Sequence, residues 1–182
     1  MTELMGSDSK KIKVLVVDDA AFMRRAVADI LSSDEGIEVV ETARDGLDGL
    51  AKVEALRPDV ITLDIDMPRM DGLSAIRHLM IETPVPIVVL SSLAGDGAIT
   101  FEALRLGVVD FVPKPSGAVS ADIDRARQNL LDRVKIASAV NMHNIRRVRL
   151  MPEQNRVASS AAGDKAPLDY LVTLGTTLGG PN

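Results

Sequence analysis

Short apolar runs rich in β-branched residues recur along the chain at intervals of roughly 22–27 residues: "KVLVV" (13–17), "IEVVET" (37–42), "DVITL" (59–63), "PIVVL" (86–90) and "VVDFV" (108–112). Amphipathic stretches lie between them, most closed by a breaker. "AAFMRRAVADILSS" places Phe22, Ala26 and Ile30 at helical spacing. "DGLDGLAKVEALRP" stops at Pro58, "DGLSAIRHLMIETP" at Pro84 and "DGAITFEALRLG" at Gly107. "SADIDRARQNLLDRVKIASAV" carries one apolar stripe, Ile123, Ala126, Leu130, Val134 and Ala137. Strand–helix alternation at this pitch predicts an α/β fold, a (βα)5 doubly wound parallel sheet over residues 12–140. Residues 1–11 read as a disordered leader. After Val140 the pattern ends. "NIRRVRLMPEQNR" holds four Arg and one Glu, and "VASSAAGDKAP" is small, polar and breaker-rich, so 141–167 reads as a linker. Residues 168–182 then give a short orphan strand and a glycine-rich turn, "LVTLGTTLGGPN".

Composition narrows the function classes. Aromatics are 2% of the chain, so the core must be aliphatic, and the net charge of −5 carries no basic bias toward nucleic acid. There is no cysteine, which excludes thiol nucleophiles and cysteine metal clusters. The leader has no apolar core of a signal peptide, and no apolar run approaches the ~20 residues of a membrane span, so a cytoplasmic protein without membrane insertion is expected.

In an open α/β sheet, function gathers beyond the carboxyl ends of the strands. There the first strand ends in Asp18-Asp19, the third in Asp64 before "IDMPRMDG", the fourth in Ser91-Ser92 and the fifth in "PKP" with Lys114. If the first and third strands are neighbours, three carboxylates share a pocket. Two carboxylates ~5 Å apart repel by roughly 3–4 kcal/mol at an effective dielectric of ~20. Such a cluster needs a cation or raised pKa values, and hard oxygen donors select Mg²⁺ or a similar ion such as Mn²⁺. An acidic pocket with a hydroxyl and a lysine suits phosphoryl chemistry, with a carboxylate nucleophile giving an aspartyl phosphate. Asp64 fits that role, on a strand apolar enough to be central.

Each residue also has a plainer reading. Asp18 and Asp19 could cap the following helix, and Asp71-Gly72 reads as a turn and helix start. Asp45-Gly46, His78 and His143 read as structural or exposed. Taken singly, only Asp64 stands out; the combination at the ends of strands one, three, four and five is specific.

That combination, carried by "VLVVDDAAFMRR", "PDVITLDIDMPRMDGL", "PIVVLSS" and "VVDFVPKPSG", resembles the receiver domain of two-component response regulators over residues 12–140. The resemblance implies strand order 2-1-3-4-5 in a flavodoxin/CheY-like sheet. It implies Asp64 as phosphoacceptor, Asp19 as the main acidic Mg²⁺ ligand, Asp18 acting largely through water, and the Asp66 backbone carbonyl as a further ligand. Ser91 would be the switch hydroxyl, Phe111 the aromatic switch, and Lys114 the phosphate-binding lysine, placed by a cis Lys114–Pro115 bond. The longer matches "ITLDIDMPRMDGL" and "VVLSSLAGDGA…TFEALRLGVVDFVPKPSG" are similar to the chemotaxis protein-glutamate methylesterase, CheB-type, family. There a linker and a catalytic domain follow, opening with a turn of the kind G-A-S-T-G-G-P. "LVTLGTTLGGPN" resembles that opening with Thr177 at the nucleophile position, and Leu178 where the family has threonine. With no activating His or Asp after it, no methylesterase activity is expected of these 182 residues.

The implied partners are a chemotaxis-type histidine kinase, a methylesterase domain and chemoreceptors, with pairing to a second copy left open. The alternative is the regulatory fragment of a complete protein-glutamate methylesterase/glutaminase. Less favoured is a haloacid-dehalogenase-like phosphatase, suggested by D-x-D in "LDIDMP"; here the acid pair comes first and Asp66 is fixed before Met67-Pro68. A basic interaction module at Arg146 and Arg147 is set aside for a solvated helix end.

Overall fold

The structure, a computed structural model, describes residues 10–91, 97–114 and 120–142. The chain divides into two units, Met1–Val148 and Arg149–Asn182, and every described residue lies in the first. Five strands alternate with five helices: β1 Ile12–Val17, α1 Ala21–Ser32, β2 Ile37–Ala43, α2 Gly46–Leu56, β3 Val60–Asp64, α3 Gly72–Glu82, β4 Ile87–Ser91, α4 Gly97–Leu106, β5 Asp110–Pro113 and α5 Ser120–Ser138. All pairings are parallel, in the order β2-β1-β3-β4-β5. This is the doubly wound sheet that the alternation predicts, in the strand order that the receiver resemblance implies.

Period-two alternation splits the core into two layers. Leu15, Val17, Ile61, Leu63, Ile87 and Val89 pack with Val53 of α2, Ile76 and Leu79 of α3 and Ala103 of α4. Val14, Val16, Val60, Val88, Leu90 and Val112 pack with Val27 and Leu31 of α1 and with Leu130, Leu131, Val134 and Ala137 of α5. β3 is buried along its whole length, as a central strand covered on both faces must be.

Two local expectations are corrected. The buried face of α1 is Val27 and Leu31, with Met23 and Ile30 beside them, whereas Phe22 is 83% exposed. Of the Phe22–Ala26–Ile30 stripe, Ile30 meets this layer while Phe22 turns to solvent. Neither acid of the first pair caps α1: its N-cap is Ala20, which makes no side-chain capping bond. Asp45 and Asp71 do cap their helices, accepting from the N–H groups of Asp48 and Ser74 at 2.9 Å each. Asp71 is held below the usual carboxyl range chiefly by the Ser74 N–H.

Candidate phosphoryl and metal site

The carboxyl ends of β1, β3 and β5 converge. β1 runs out at Val17, and the Asp18 N–H still bonds to Ala43 of β2 at 3.1 Å, so the strand geometry carries the acid pair to the sheet's edge. Asp18 is fully buried and Asp19 exposed. The Asp18 Oδ1 accepts the Ala20 N–H at 2.8 Å, closing a tight turn that aims the other oxygen inward. Arg24, on the first turn of α1, reaches back and donates to the backbone carbonyls of Asp18 and Asp19 at 2.9 and 3.1 Å. The sequence reading passes over Arg24. Its place five and six residues beyond the pair, on the adjoining helix turn, is the signal that could have found it.

Asp64 closes β3 and is buried, its Oδ1 accepting the Asp66 N–H at 3.2 Å. Lys114, just past β5, reaches across β4 and places its ammonium 2.7 Å from Asp64 Oδ2 and 3.1 Å from Asp18 Oδ2. Among the described residues, neither oxygen has another hydrogen-bond partner. The Lys114 N–H bonds to the Ser91 carbonyl at 2.8 Å, so the lysine's direction is set by the end of β4. Burial is the main force raising the Asp64 pKa above the ordinary value, with the Asp18 charge adding to it and Lys114 opposing. Burial would lower the Lys114 pKa, yet its contacts with Asp64 and Asp18 outweigh that and raise it.

One oxygen from each of Asp18, Asp19 and Asp64 can lie within 4.8 Å of the others. Three carboxylates and one ammonium leave the cluster two charges negative, and its buried oxygens are hard donors with room for a further partner. The residues therefore fit a divalent cation of the Mg²⁺ or Mn²⁺ kind. A cleft of about 410 Å³ opens beside the cluster, lined by Asp19, Asp66, Met67, Pro68 and Ile99 among others.

The remaining sequence-selected residues fall nearby or outside. Ser91 follows Leu90, the register partner of Asp64, and is partly buried. Phe111 pairs with Val89 and lies half-buried against the layer formed by α2, α3 and α4. His78 is exposed, its Nδ1 2.9 Å from the Ser74 carbonyl. Ser92, His143, Arg146, Arg147, the Lys114–Pro115 bond, Thr177 and the stub lie outside the described residues, as does the side chain of Ile123. Asp45 was expected to be structural or exposed; it is a structural cap and is also buried against Arg69, a residue the sequence reading does not select.

A family model described as the response regulator receiver domain matches residues 14–121. Among curated proteins, the protein-glutamate methylesterase/protein-glutamine glutaminases of Caldanaerobacter subterraneus subsp. tengcongensis and Symbiobacterium thermophilum are 45% and 46% identical. Each alignment covers 94% of this chain and 49% or 50% of the relative, so the chain spans about half the length of the curated relatives it matches. Among solved structures, the response regulator domain of Thermotoga maritima CheB is 44% identical with a TM-score of 0.66, over 72% of this chain and 99% of that one. CheX–CheY–BeF3–Mg from Borrelia burgdorferi is matched at 28% identity and a TM-score of 0.61, over 72% of this chain and 92% of that one.

Proposed function

Starting from the fact that this chain belongs to the response regulator receiver domain family, in its CheB-type branch, we propose that it is a phospho-switch in which Asp64 accepts a phosphoryl group from a chemotaxis-type histidine kinase. The observation that carries this reading is the buried Asp64 carboxylate, 2.7 Å from the Lys114 ammonium and clustered with two further acids at one end of the sheet. An Asp64 oxygen attacks phosphorus, the bond from phosphorus to the donor's imidazole nitrogen breaks, and that nitrogen keeps the bonding pair and takes a proton from solvent, which returns the donor histidine as neutral imidazole. Lys114 is placed to pair with a phosphoryl oxygen, and its salt bridges to Asp64 and Asp18 would be exchanged for that contact. Asp18, Asp19, Asp64 and the Asp66 backbone carbonyl would hold Mg²⁺ or Mn²⁺. The ion, when bound, supplies positive charge to offset that of the carboxylates and the phosphoryl oxygens. Ser91 and Phe111 are assigned the switch, a hydroxyl drawn to the new acceptor oxygens and a ring that follows it.

The alignments run over 94% of the chain, beyond the receiver match at residue 121. That supports assigning residues 12–140 to the receiver, 141–167 to a linker and 168–182 to the approach of a methylesterase domain, with the receiver regulating that domain in a cytoplasmic protein. Among the described residues, no helix is long and apolar enough to cross a membrane.

The test is labelling with a small acyl phosphate donor and Mg²⁺, followed by mapping of the labelled residue. Asp64→Asn is expected to abolish the label. A label that persists on another residue sinks the assignment.

A further inference from the structure

The loop from Asp64 to α3 is held at two points. Its base is pinned where the Gly72 N–H bonds to the Ile65 carbonyl at 2.9 Å. A Cβ on Gly72 would meet the Asp64 carbonyl oxygen at 2.5 Å and Ile65 Cα at 2.6 Å, so only glycine lets α3 start this close to the strand. The tip is pinned differently. Arg69 holds a left-handed backbone conformation, φ 67°, uncommon for a residue with a side chain. Its guanidinium donates to Asp45 Oδ2, while Asp45 Oδ1 caps α2. Asp45 is 2% exposed, and Arg69 makes the close contact with its Oδ2, the Arg44 guanidinium standing farther off at 4.0 Å. Next to it Met70 packs on Gly46, where a Cβ would lie 2.7 Å from the Met70 side chain.

We infer that the Arg69–Asp45 pair is a brace that positions the Ile65–Asp71 loop, and with it Asp66, for divalent-cation binding. Arg69 and Asp45 are positioning residues: they act through the loop and touch neither phosphoryl group nor ion. Between the pinned base and the pinned tip lies Asp66, whose N–H already fixes one Asp64 oxygen. Without the brace the tip is free to relax from its left-handed turn, and the Asp66 backbone moves with it. This inference rests on the metal assignment above.

The experiment is calorimetric titration of Mg²⁺ into the full 182-residue chain, as wild type, Arg69→Ala, Arg69→Gly, Arg69→Lys, Asp45→Asn and the Asp45→Asn/Arg69→Ala double variant. Residues that orient a metal site from outside it typically change affinity 10–100-fold, and about tenfold weakening is expected for Arg69→Ala, Arg69→Gly and Asp45→Asn. Asparagine keeps the cap of α2, so Asp45→Asn removes the charge alone. Arg69→Lys should recover part of the loss, and the double variant should be no weaker than Asp45→Asn alone, because that change already removes the Arg69 pair, along with the 4.0 Å contact to Arg44. In the labelling assay the Mg²⁺ concentration for half-maximal rate should rise more than the maximal rate falls. Affinities within twofold of wild type overturn the brace, as does Arg69→Gly restoring full affinity, which would leave only backbone conformation. If Arg69→Ala fails to fold, Arg69→Lys and Asp45→Asn decide the matter. A wild-type chain that binds no Mg²⁺ overturns the brace and the metal assignment together. A label surviving Asp64→Asn overturns the phosphoacceptor reading and leaves the titration standing.

Discussion

Replacing Lys114 by methionine keeps most of the side chain's volume and removes its charge. Two buried carboxylates then face each other with no cation. From the 2.7 and 3.1 Å contacts, each ion pair carries about 5–6 kcal/mol of Coulomb attraction at an effective dielectric of ~20. The ammonium's own desolvation offsets part of that, and its side chain is still 20% exposed to screening. Breaking such a pair costs ~3 kcal/mol, the lower end of the range for removing one buried partner. For a domain of ~130 residues this lowers the melting midpoint by about 10 °C. The assay is thermal unfolding by circular dichroism at pH 7 without metal, since the chain has no tryptophan to report by fluorescence. The pH dependence has a definite sign. Without Lys114, which opposes the effect of burial, Asp64 is protonated more readily in the folded chain than in the unfolded one. The penalty is then full at neutral pH, shrinks as pH falls through the folded pKa of Asp64, and vanishes below the unfolded one. In the wild type, the raised Lys114 contributes stability that is present below its ordinary value of 10.5 and is lost as pH rises through the folded value. The gap between the two proteins therefore narrows toward pH 4 and again in strong alkali. Mg²⁺ should stabilise the variant more than the wild type, because the uncompensated acids attract it more strongly. A midpoint within about 2 °C of wild type at pH 7, or a gap that widens on acidification, refutes the reasoning.

Three further outcomes follow from other contacts. Gly72→Ala drives a methyl into the Asp64 and Ile65 backbone; it should cost about 2–3 kcal/mol, visible as an earlier urea midpoint, and should slow labelling because the displaced atoms belong to the acceptor strand. Asp71→Ala removes the cap of α3 and should cost about 0.5–1 kcal/mol at neutral pH. Because the Asp71 pKa is lowered, that stability is present above its unfolded value of 3.8 and is lost as pH falls through the folded one, so the variant and the wild type should converge in acid. Leu130→Ala, in a fully buried position of α5, should cost about 2–5 kcal/mol in chemical denaturation and leave Mg²⁺ affinity unchanged, since it lies in the layer behind the site.

The parallel strand–helix units and the acids at their ends were legible because both depend on short-range signals repeated along the chain, whereas the strand order, which sets β1 beside β3 and makes the acids one pocket, came only with the resemblance to receiver domains. Apolar runs with turn residues between them specify parallel units, and the last residue of each run marks the functional end. The face of α1 was not legible. Phe22–Ala26–Ile30 and Met23–Val27–Leu31 are both apolar stripes at helical spacing, and only the docking of α1 on the sheet beside α5 decides that Phe22 turns outward. The acid pair was visible, but not which member turns in. That depends on the Ala20 N–H bond and on Arg24 gripping the carbonyls. Arg69 and Asp45 are 24 positions apart and on different elements, so no local period connects them. A left-handed arginine carries no sequence mark that would separate it from a surface one.

Lys114 ties β5 to residues at the ends of β3 and β1 across the whole width of β4. β5 is four residues long and forms one edge of the sheet. Detaching that edge strand and losing the cationic partner of the acids are thus a single event. The amide hydrogens of β5 should exchange with solvent through the same opening that exposes the carboxylates, and any ligand that bridges acids and lysine should slow that exchange by sealing the edge from inside.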